Sequence, residues 1–593
     1  MRGIGIVLLL AAWAGPLRAE PNVAIRLPER FRILAQQRFD LRVEATRLSG
    51  PDAILTLRLA RGDSTAPVPL PEVATDNDAD SQDIDKSWTF RGLSLPAAGV
   101  WELEATVSDG GSMGSDRSRI GVQDFLLAQP AKSVILMIGD AMGTAYRDAA
   151  RIVGQSSNGH LREGFFDQNQ QMDSMPVTGM VMTYAMDQII SDSANSATAW
   201  STGNRTVVGS LSALPDNNDF RFDPRNAAAT KQFALDNPRV ETLWEYLRRL
   251  NGYKTGIVAT SDVTDATPAG AGSHTITRAL GFDIARQYVD GTFLPGPAFD
   301  VILGGGRERF SSRTAARSGD SRDLIRELTS AGYTYAQNRT ELNRIPDGRS
   351  APAKLLGLFR TGNMNVAYDK LGLRRPPDEP APDFAGFRDQ PFLPEMVARA
   401  LAVLSKDAQP FILLVEGASI DKESHGNRAA GTLWDTIEFD QAVGVARRFA
   451  ASAPPQGRPS PLILVTADHD QSMQIVGVTD TEAEEALTNT RANMPYQRNP
   501  GAVPRFPDYA DSDGDGYPEN TNRYRLATGF RTLDHTGSSV PLTAEGPGAL
   551  LFTGYYDQTD IFFKIARALA SNTAPLDQAL DRKASFSITP QNY

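Results

Sequence analysis

The sequence predicts an α/β protein: a large, mostly parallel sheet sandwiched by helices, preceded by a small all-β sandwich domain. Three observations carry this. After about residue 130, runs apolar on both faces alternate with amphipathic stretches. Before about residue 125, short segments alternate apolar and polar with a period of two. Clusters of Gly, Pro, Asp and Ser separate those early segments. The 593 residues fit two or three domains of roughly 100–200 residues each. Apolar residues make up 41% and charged residues 22%, which excludes disorder, collagen and coiled coil as the main description. Lys plus Arg is 60, Asp plus Glu is 71 and the net charge is −11, a balance that argues against nucleic acid as a specific partner. Cysteine is absent, so disulfides, thiolate metal sites and cysteine nucleophiles are excluded.

Residues 1–19 read as a secretory signal peptide. A basic Met1-Arg2 start precedes an apolar run from Ile4 to Ala14, and Leu17-Arg18-Ala19 ends on a small residue suited to cleavage. The run falls short of the roughly 20 residues needed to span a bilayer, and no later segment is long enough either. The mature protein is expected to be exported, periplasmic or extracellular, with no membrane span.

Residues 20–125 are the expected sandwich, immunoglobulin-like in architecture. Phe39–Ala45, Ala53–Leu59 and Val100–Val107 each have the period of a half-buried strand. Asp76, Asp78, Asp80, Asp83 and Asp85 stand close together in this region. They suit either calcium, which takes oxygen ligands, or a solvated acidic loop.

Residues 130–593 are the expected large domain. Val134–Ile138, Thr255–Thr260, Val301–Leu303, Phe411–Val415, Leu462–Val465 and Ala549–Phe552 are apolar runs suited to parallel strands buried between helix layers. Val240–Leu250 and Leu393–Leu404 supply crossover helices. In such folds ligands bind outside the carboxyl ends of the strands. Asp140 follows the first run, Asp262 and Asp265 the second, Glu416 and Asp421 the Phe411 run, and Asp468-His469 the Leu462 run. One acidic residue after a strand is a common helix cap; several at one edge indicate a site.

Asp421 and His425 are four apart, which puts both side chains on one face of a helix. Asp468-His469 is a second carboxylate–imidazole pair. With His535 and Asp140 they fit a binuclear zinc site, since imidazole and carboxylate without thiolate is the pattern of catalytic zinc. Three of the five histidines fall in these places. Asp192-Ser193-Ala194-Asn195-Ser196-Ala197-Thr198-Ala199 suits a closely packed helix with Ser193 near its start, where amides and the helix dipole favour an anion. Read alone, that motif is a small-residue helix with a serine cap.

Together these segments resemble the alkaline phosphatase family. The motifs are Gly139-Asp140-Ala141-Met142-Gly143, Asp192-Ser193-Ala194 with Ala197-Thr198-Ala199, and Asp265-Ala266-Thr267-Pro268-Ala269. Val415–Asp421, Thr466-Ala467-Asp468-His469 and His535-Thr536-Gly537 complete them, in the family's order. The resemblance implies an alkaline-phosphatase-like fold and hydrolysis of phosphate monoesters at alkaline pH, through a phosphoserine on Ser193, releasing inorganic phosphate. It implies two Zn2+ and one Mg2+ per chain. One zinc falls to Asp421, His425 and His535, the other to Asp140, Asp468 and His469, and magnesium to Asp140, Thr267 and Glu416. Arg278 matches the arginine that grips phosphate and Asp192 the residue that orients it. Asp265 and Lys422 match positions that support magnesium and phosphate through water. Family members are often dimers, so a homodimer is one expectation; the added N-terminal domain replacing that contact is the other. A phosphodiesterase on the same scaffold is the alternative; Arg278 argues against it, because its fork suits a dianionic terminal phosphate.

Departures from the pattern carry expectations of their own. Ala141 stands where the family usually has glycine, tolerable if the backbone there is ordinary. Gln471 stands where many members have a second histidine. His274 is expected to hydrogen-bond structurally and His160 to lie on the surface. In an acidic insertion around residues 505–525, Asp511, Asp513 and Asp515 begin like a calcium loop. Asn522 replaces the closing glutamate, and Glu519 could contribute instead, so a Ca2+ site and an acidic surface turn both remain open.

Overall fold

The protein is described by a computed structural model covering residues 20–75, 85–155, 169–218, 221–311, 313–314, 318–373, 381–452, 459–478, 513–517 and 526–571. The expected signal peptide, Asp76 to Asp83, His160, Asp511 and Glu519 lie outside the described residues.

Residues 20–125 fold into two sheets. Asn22–Ile25, Arg38–Thr46, Lys86–Ser94 and Glu72–Thr75 form one, in that order and antiparallel throughout. Arg32–Leu34, Ser112–Gln123, Gly99–Asp109, Ile54–Arg61 and Ser64–Thr65 form the other, antiparallel except for the first pair. Phe39, Val43, Trp88, Trp101, Leu103 and Ile120 from both sheets share one apolar core.

The strand Arg38–Thr46 corrects the expectation of a half-buried element. Its apolar residues face the core, but Asp40, Arg42 and Glu44 between them are buried as well. Their face is covered by the large domain. Asp40 pairs with Arg91 at 2.9 Å and with Arg239 at 2.7 Å. Arg42 pairs with Glu44 at 2.8 Å and with Asp216 at 3.2 Å. Paired charges tolerate burial that single ones do not. The main chain joins in, with Asp40 N–H donating to Arg239 O at 2.7 Å and Glu241 N–H to Arg38 O at 2.9 Å. The buried amide of Gln37 donates to Glu241 O at 2.8 Å and to Thr202 O at 3.3 Å. Thr202 ends the helix Ser193–Thr202, so the β domain braces that helix at its far end.

The large domain is built on a ten-stranded sheet. Across it run Tyr333–Ala336, Lys354–Leu358, Val301–Gly305, Lys254–Asp262, Phe411–Gly417, Val134–Gly139, Leu462–Thr466, Val540–Glu545, Val177–Met182 and Gly554–Asp557. All are parallel except Val540–Glu545, which is antiparallel to both neighbours. The central strands are buried along their whole length, as continuous apolar runs between helix layers require. Leu393–Leu404 is helical over the expected residues. The expected helix Val240–Leu250 begins later, as Leu243–Asn251, because Thr242 and Glu245 close a capping box there.

Ala549–Phe552 is a 3₁₀ turn and not the expected strand. Gly548 precedes it at φ +92°, a conformation strands do not use. Ala549 and Phe552 are buried while Leu550 is 77% exposed, the spacing of a single helical turn.

Candidate active site

The sheet order places the site. Val134–Gly139 lies between Phe411–Gly417 and Leu462–Thr466, with Ile138 in register with both Glu416 and Thr466. Asp140, Glu416 and Asp468-His469 therefore leave the sheet side by side at its carboxyl edge. Lys254–Asp262 is the next strand, with Ala259 beside Glu416, and it delivers Asp265 and Thr267. Asp421 and His425 lie on the helix Ser419–His425 that follows Glu416. His535 comes from the second strand of a separate hairpin, Asp470–Val478 with Leu526–Thr536, where it pairs with Gln471.

Two triads result: Asp140, Asp468 and His469, and Asp421, His425 and His535. In each, the candidate ligand atoms all lie within 4.8 Å of one another. The first is the inner one; the His469 and Asp468 side chains are 0% exposed. His469 Nε2 lies 3.1 Å from Asp468 Oδ2 and 3.6 Å from Asp140 Oδ1. The second opens to solvent at His425, whose side chain is 41% exposed, while those of Asp421 and His535 are mostly buried. His425 Nε2 and His535 Nε2 stand 3.2 Å apart, and 3.2 Å and 3.4 Å from Asp421 Oδ1. The rings of His469 and His535 stack, with centroids 3.5 Å apart, so the triads adjoin.

Both outer imidazoles have assigned tautomers. His425 Nδ1 lies 2.5 Å from Leu533 O and His535 Nδ1 lies 2.9 Å from Ser191 O. A carbonyl only accepts, so Nδ1 carries the hydrogen, and each Nε2 is left to turn a lone pair inward, as a metal ligand must.

The charges at the site fit divalent cations. Asp140 Oδ1, Asp421 Oδ1 and Asp468 Oδ2 are buried without a hydrogen-bond partner. Burial, then the charges of Asp468, Asp421 and Glu416, push the Asp140 carboxyl well above its ordinary range. Burial, then Asp265, raises Glu416 to about 7. Burial also opposes ionisation of Asp468 and Asp421, but the neighbouring imidazoles outweigh it, holding Asp468 at about 2 and Asp421 well below its usual range. His535 is lowered by burial and raised more by Asp421, reaching about 9. Crowded carboxylates and inward-facing imidazoles at one point are the donor set of hard or borderline divalent ions. Glu416 accepts from Ser261 Oγ at 2.8 Å. The Thr267 hydroxyl lies alongside it without a hydrogen bond of ordinary geometry.

Ser193 opens the helix Ser193–Thr202 and is 3% exposed, its Oγ 3.3 Å from His469 Nε2. Asp192 caps that helix, accepting from Ala194 N–H at 3.1 Å and from Gly209 N–H at 3.2 Å. Small residues allow the helix close in: a Cβ on Gly270 would lie 2.4 Å from that of Ala197. Arg278 donates to Asp192 at 2.5 Å and to Asp265 at 2.6 Å, and Lys422 donates to Asp265 at 2.8 Å. One N–H on each terminal Arg278 nitrogen stays available for an anion. Against burial, Lys422 and Arg278 hold Asp265 well below its ordinary range.

Ala141 does not meet the condition set for it, an ordinary backbone. Its φ is +65°, which costs a residue with a Cβ about 1–2 kcal/mol. The turn is set by its contacts: Ala141 N–H donates to Asp468 Oδ1 at 3.0 Å, and Met142 N–H reaches back to Gly139 O at 3.0 Å. The strain thus sits in the bend that carries Asp140 into the site.

Other predicted residues sort as follows. His274 is buried, its ring between Ser212 O at 2.9 Å and Glu245 at 3.1 Å, in the structural role expected of it. Gln471 donates over 3.5 Å to Leu533 O, the carbonyl that also orients His425. Asp513 and Asp515 accept from Asp515 N–H and Tyr517 N–H in their own loop and belong to neither triad.

Sequence reasoning missed two supports. The carbonyl of Asp468 accepts from Ser196 Oγ and from the buried Gln558 amide, each at 2.9 Å. Ser196 lies in the motif already singled out. Gln558 stands 90 residues from Asp468 in sequence, and no local pattern announces it.

The alkaline phosphatase family model matches residues 131–571. The alkaline phosphatase of Escherichia coli strain K12 is 31% identical over 504 residues, covering 80% of this chain and 94% of that one. The streptomycin-6-phosphate phosphatase of Streptomyces griseus is 32% identical, covering 74% and 91%. In fold, the alkaline phosphatase of the Antarctic bacterium TAB5 superposes with a TM-score of 0.52 at 23% identity, covering 74% of this chain and 98% of that one. A match over residues 131–571, on strands that bring these carboxylates and imidazoles to one edge, makes the chain a member of the alkaline phosphatase family, with the phosphatase activity that membership carries.

Proposed function

We propose that the protein is an exported phosphomonoesterase, dependent on two zinc ions and one magnesium ion, that works at alkaline pH through a phosphoserine on Ser193. The observation that carries this reading is the convergence of two cation-competent triads beside one buried serine hydroxyl. Asp421, His425 and His535 would hold one zinc; Asp140, Asp468 and His469 the other; Asp140, Thr267 and Glu416 the magnesium. Bound there, the ions would supply Lewis acidity to the phosphoryl oxygens and lower the pKa of hydroxyl groups at the site.

The chain's own residues do the rest. Arg278, fixed by Asp192 and Asp265, presents its two available N–H groups to two nonbridging oxygens of a phosphate dianion. Lys422, tied to Asp265, adds a second positive charge beside them. Ser193 Oγ gives up its proton to solvent and attacks phosphorus in line, the P–O bond to the alcohol breaks, and the departing oxygen takes a proton from water to leave as the alcohol. Water then attacks the phosphoserine and releases inorganic phosphate and the free serine. The helix N-terminus beneath Ser193 favours the anion throughout.

Export rests on the pattern at residues 1–19. Among the described residues no helix is long and apolar enough to cross a membrane. A mature chain starting at Glu20, read by N-terminal sequencing of protein recovered outside the cytoplasm, is the expected result.

The test of the nucleophile is Ser193→Ala. Turnover of 4-nitrophenyl phosphate should fall by about 10⁴-fold or more while zinc remains bound. Retained turnover would contradict the assignment, and faster cleavage of bis(4-nitrophenyl) phosphate by the parent would favour the diesterase instead.

A further inference from the structure

The nucleophile sits on the floor of the site and the outer triad at its mouth: Ser193 is 3% exposed and the His425 side chain 41%. An in-line displacement breaks the bond opposite the attacking oxygen. Attack from the floor therefore sends the departing alcohol outward, past the outer triad.

Large apolar side chains stand exposed there among polar ones. Ile189 is 82% exposed, Ile190 44% and Leu533 57%. The isoleucine pair adjoins Ser191, whose carbonyl anchors His535. Ile189 and Ile190 also face Gly537, two residues past His535, at 3.5 Å and 4.0 Å from where a Cβ would stand. Leu533 lies on the other flank, its carbonyl anchoring His425. Three large exposed apolar residues thus adjoin the outer triad while contributing no ligand atom.

We propose that Ile189, Ile190 and Leu533 form the leaving-group subsite and that the enzyme favours phosphate monoesters of apolar alcohols over those of small polar ones. This rests on the phosphomonoester reading. An alkyl chain leaving the site covers part of this surface, and each methylene removed from water favours the bound state. Because the contact is to a rim and not to a closed pocket, the preference is graded with chain length.

The experiment compares kcat/KM for hexyl phosphate and methyl phosphate, whose alcohols differ little in acidity, so leaving-group chemistry is held constant. The parent should favour hexyl phosphate by about tenfold. In the variant Ile189→Ser/Ile190→Ser/Leu533→Ser the ratio should fall to about two or below, and Ile189→Gln alone should lower it by about threefold. Zinc content and sedimentation velocity are measured on each protein. A ratio near one in the parent, or one unchanged in the triple variant, overturns the proposal. An unchanged ratio with loss of a dimer would assign the rim to contact between copies instead. No phosphate release from either ester would overturn the phosphomonoester reading itself; release from both with equal efficiency overturns the rim alone.

Discussion

The two triads use the same residue types in opposite surroundings. The inner one is sealed, with Asp468 and His469 at 0% exposure, and it is built from the ends of two adjacent sheet strands. The outer one opens to solvent at His425 and is assembled from a short helix and a hairpin. Its imidazoles are each steered by a carbonyl, from Leu533 and Ser191, whereas His469 Nδ1 is buried without a partner. The difference teaches that a packed strand end can hold an imidazole without a partner on its far nitrogen, while the more exposed imidazoles depend on a carbonyl behind them.

The largest effect that could break this comparison lies in the inner triad. Asp468→Asn removes a charge packed against His469 and Asp140, and kcat should drop by about 10³-fold, with excess zinc failing to restore it. His425→Gln, in the outer triad, should instead lower zinc affinity by about 10–100-fold, with much of the activity returning as zinc is added. Equal rescue of both variants would erase the distinction.

Acidity sharpens it further. Asp421 lifts the metal-free His535 to about 9, so zinc must displace a proton from the outer triad at lower pH. Affinity of that site should rise about tenfold per pH unit from 7 to 9 and then level off. A titration of metal-free protein with zinc, with proton release recorded, checks the sign: protons released at pH 7.5 and few above pH 9.5. The smallest effect expected is for Gln471→Ala, whose 3.5 Å hydrogen bond reaches the carbonyl behind His425. It should weaken outer zinc by no more than about tenfold and leave the inner ion in place.

How much of this was legible beforehand depends on the range of the interactions. Val134–Ile138 and Phe411–Val415 read as buried parallel strands because both faces are apolar, and the acids following them mark the carboxyl edge of the sheet. Asp421 and His425 read from their spacing on one helix face. His535 was different: it arrives on a strand distant in sequence; the scarcity of histidine grouped it with the other site residues, and only the motif resemblance assigned it to Asp421 and His425. Alternation in Phe39–Ala45 suggested a solvated face, since a sequence does not reveal that Asp40 and Arg42 will find Arg239 and Asp216 across a domain boundary. Ala549–Phe552 was too short for periodicity to separate a strand from a helical turn. The positive φ of Ala141 follows from where Asp468 sits, which no neighbour in the chain encodes.

The account stands most directly on ions at both triads. Crystals of the full protein grown with zinc, measured at the zinc edge, should show two anomalous peaks: one about 2.0–2.2 Å from ligand atoms of Asp421, His425 and His535, the other at the same distance from those of Asp140, Asp468 and His469. Protein that hydrolyses phosphate monoesters yet shows no zinc at either triad would contradict it.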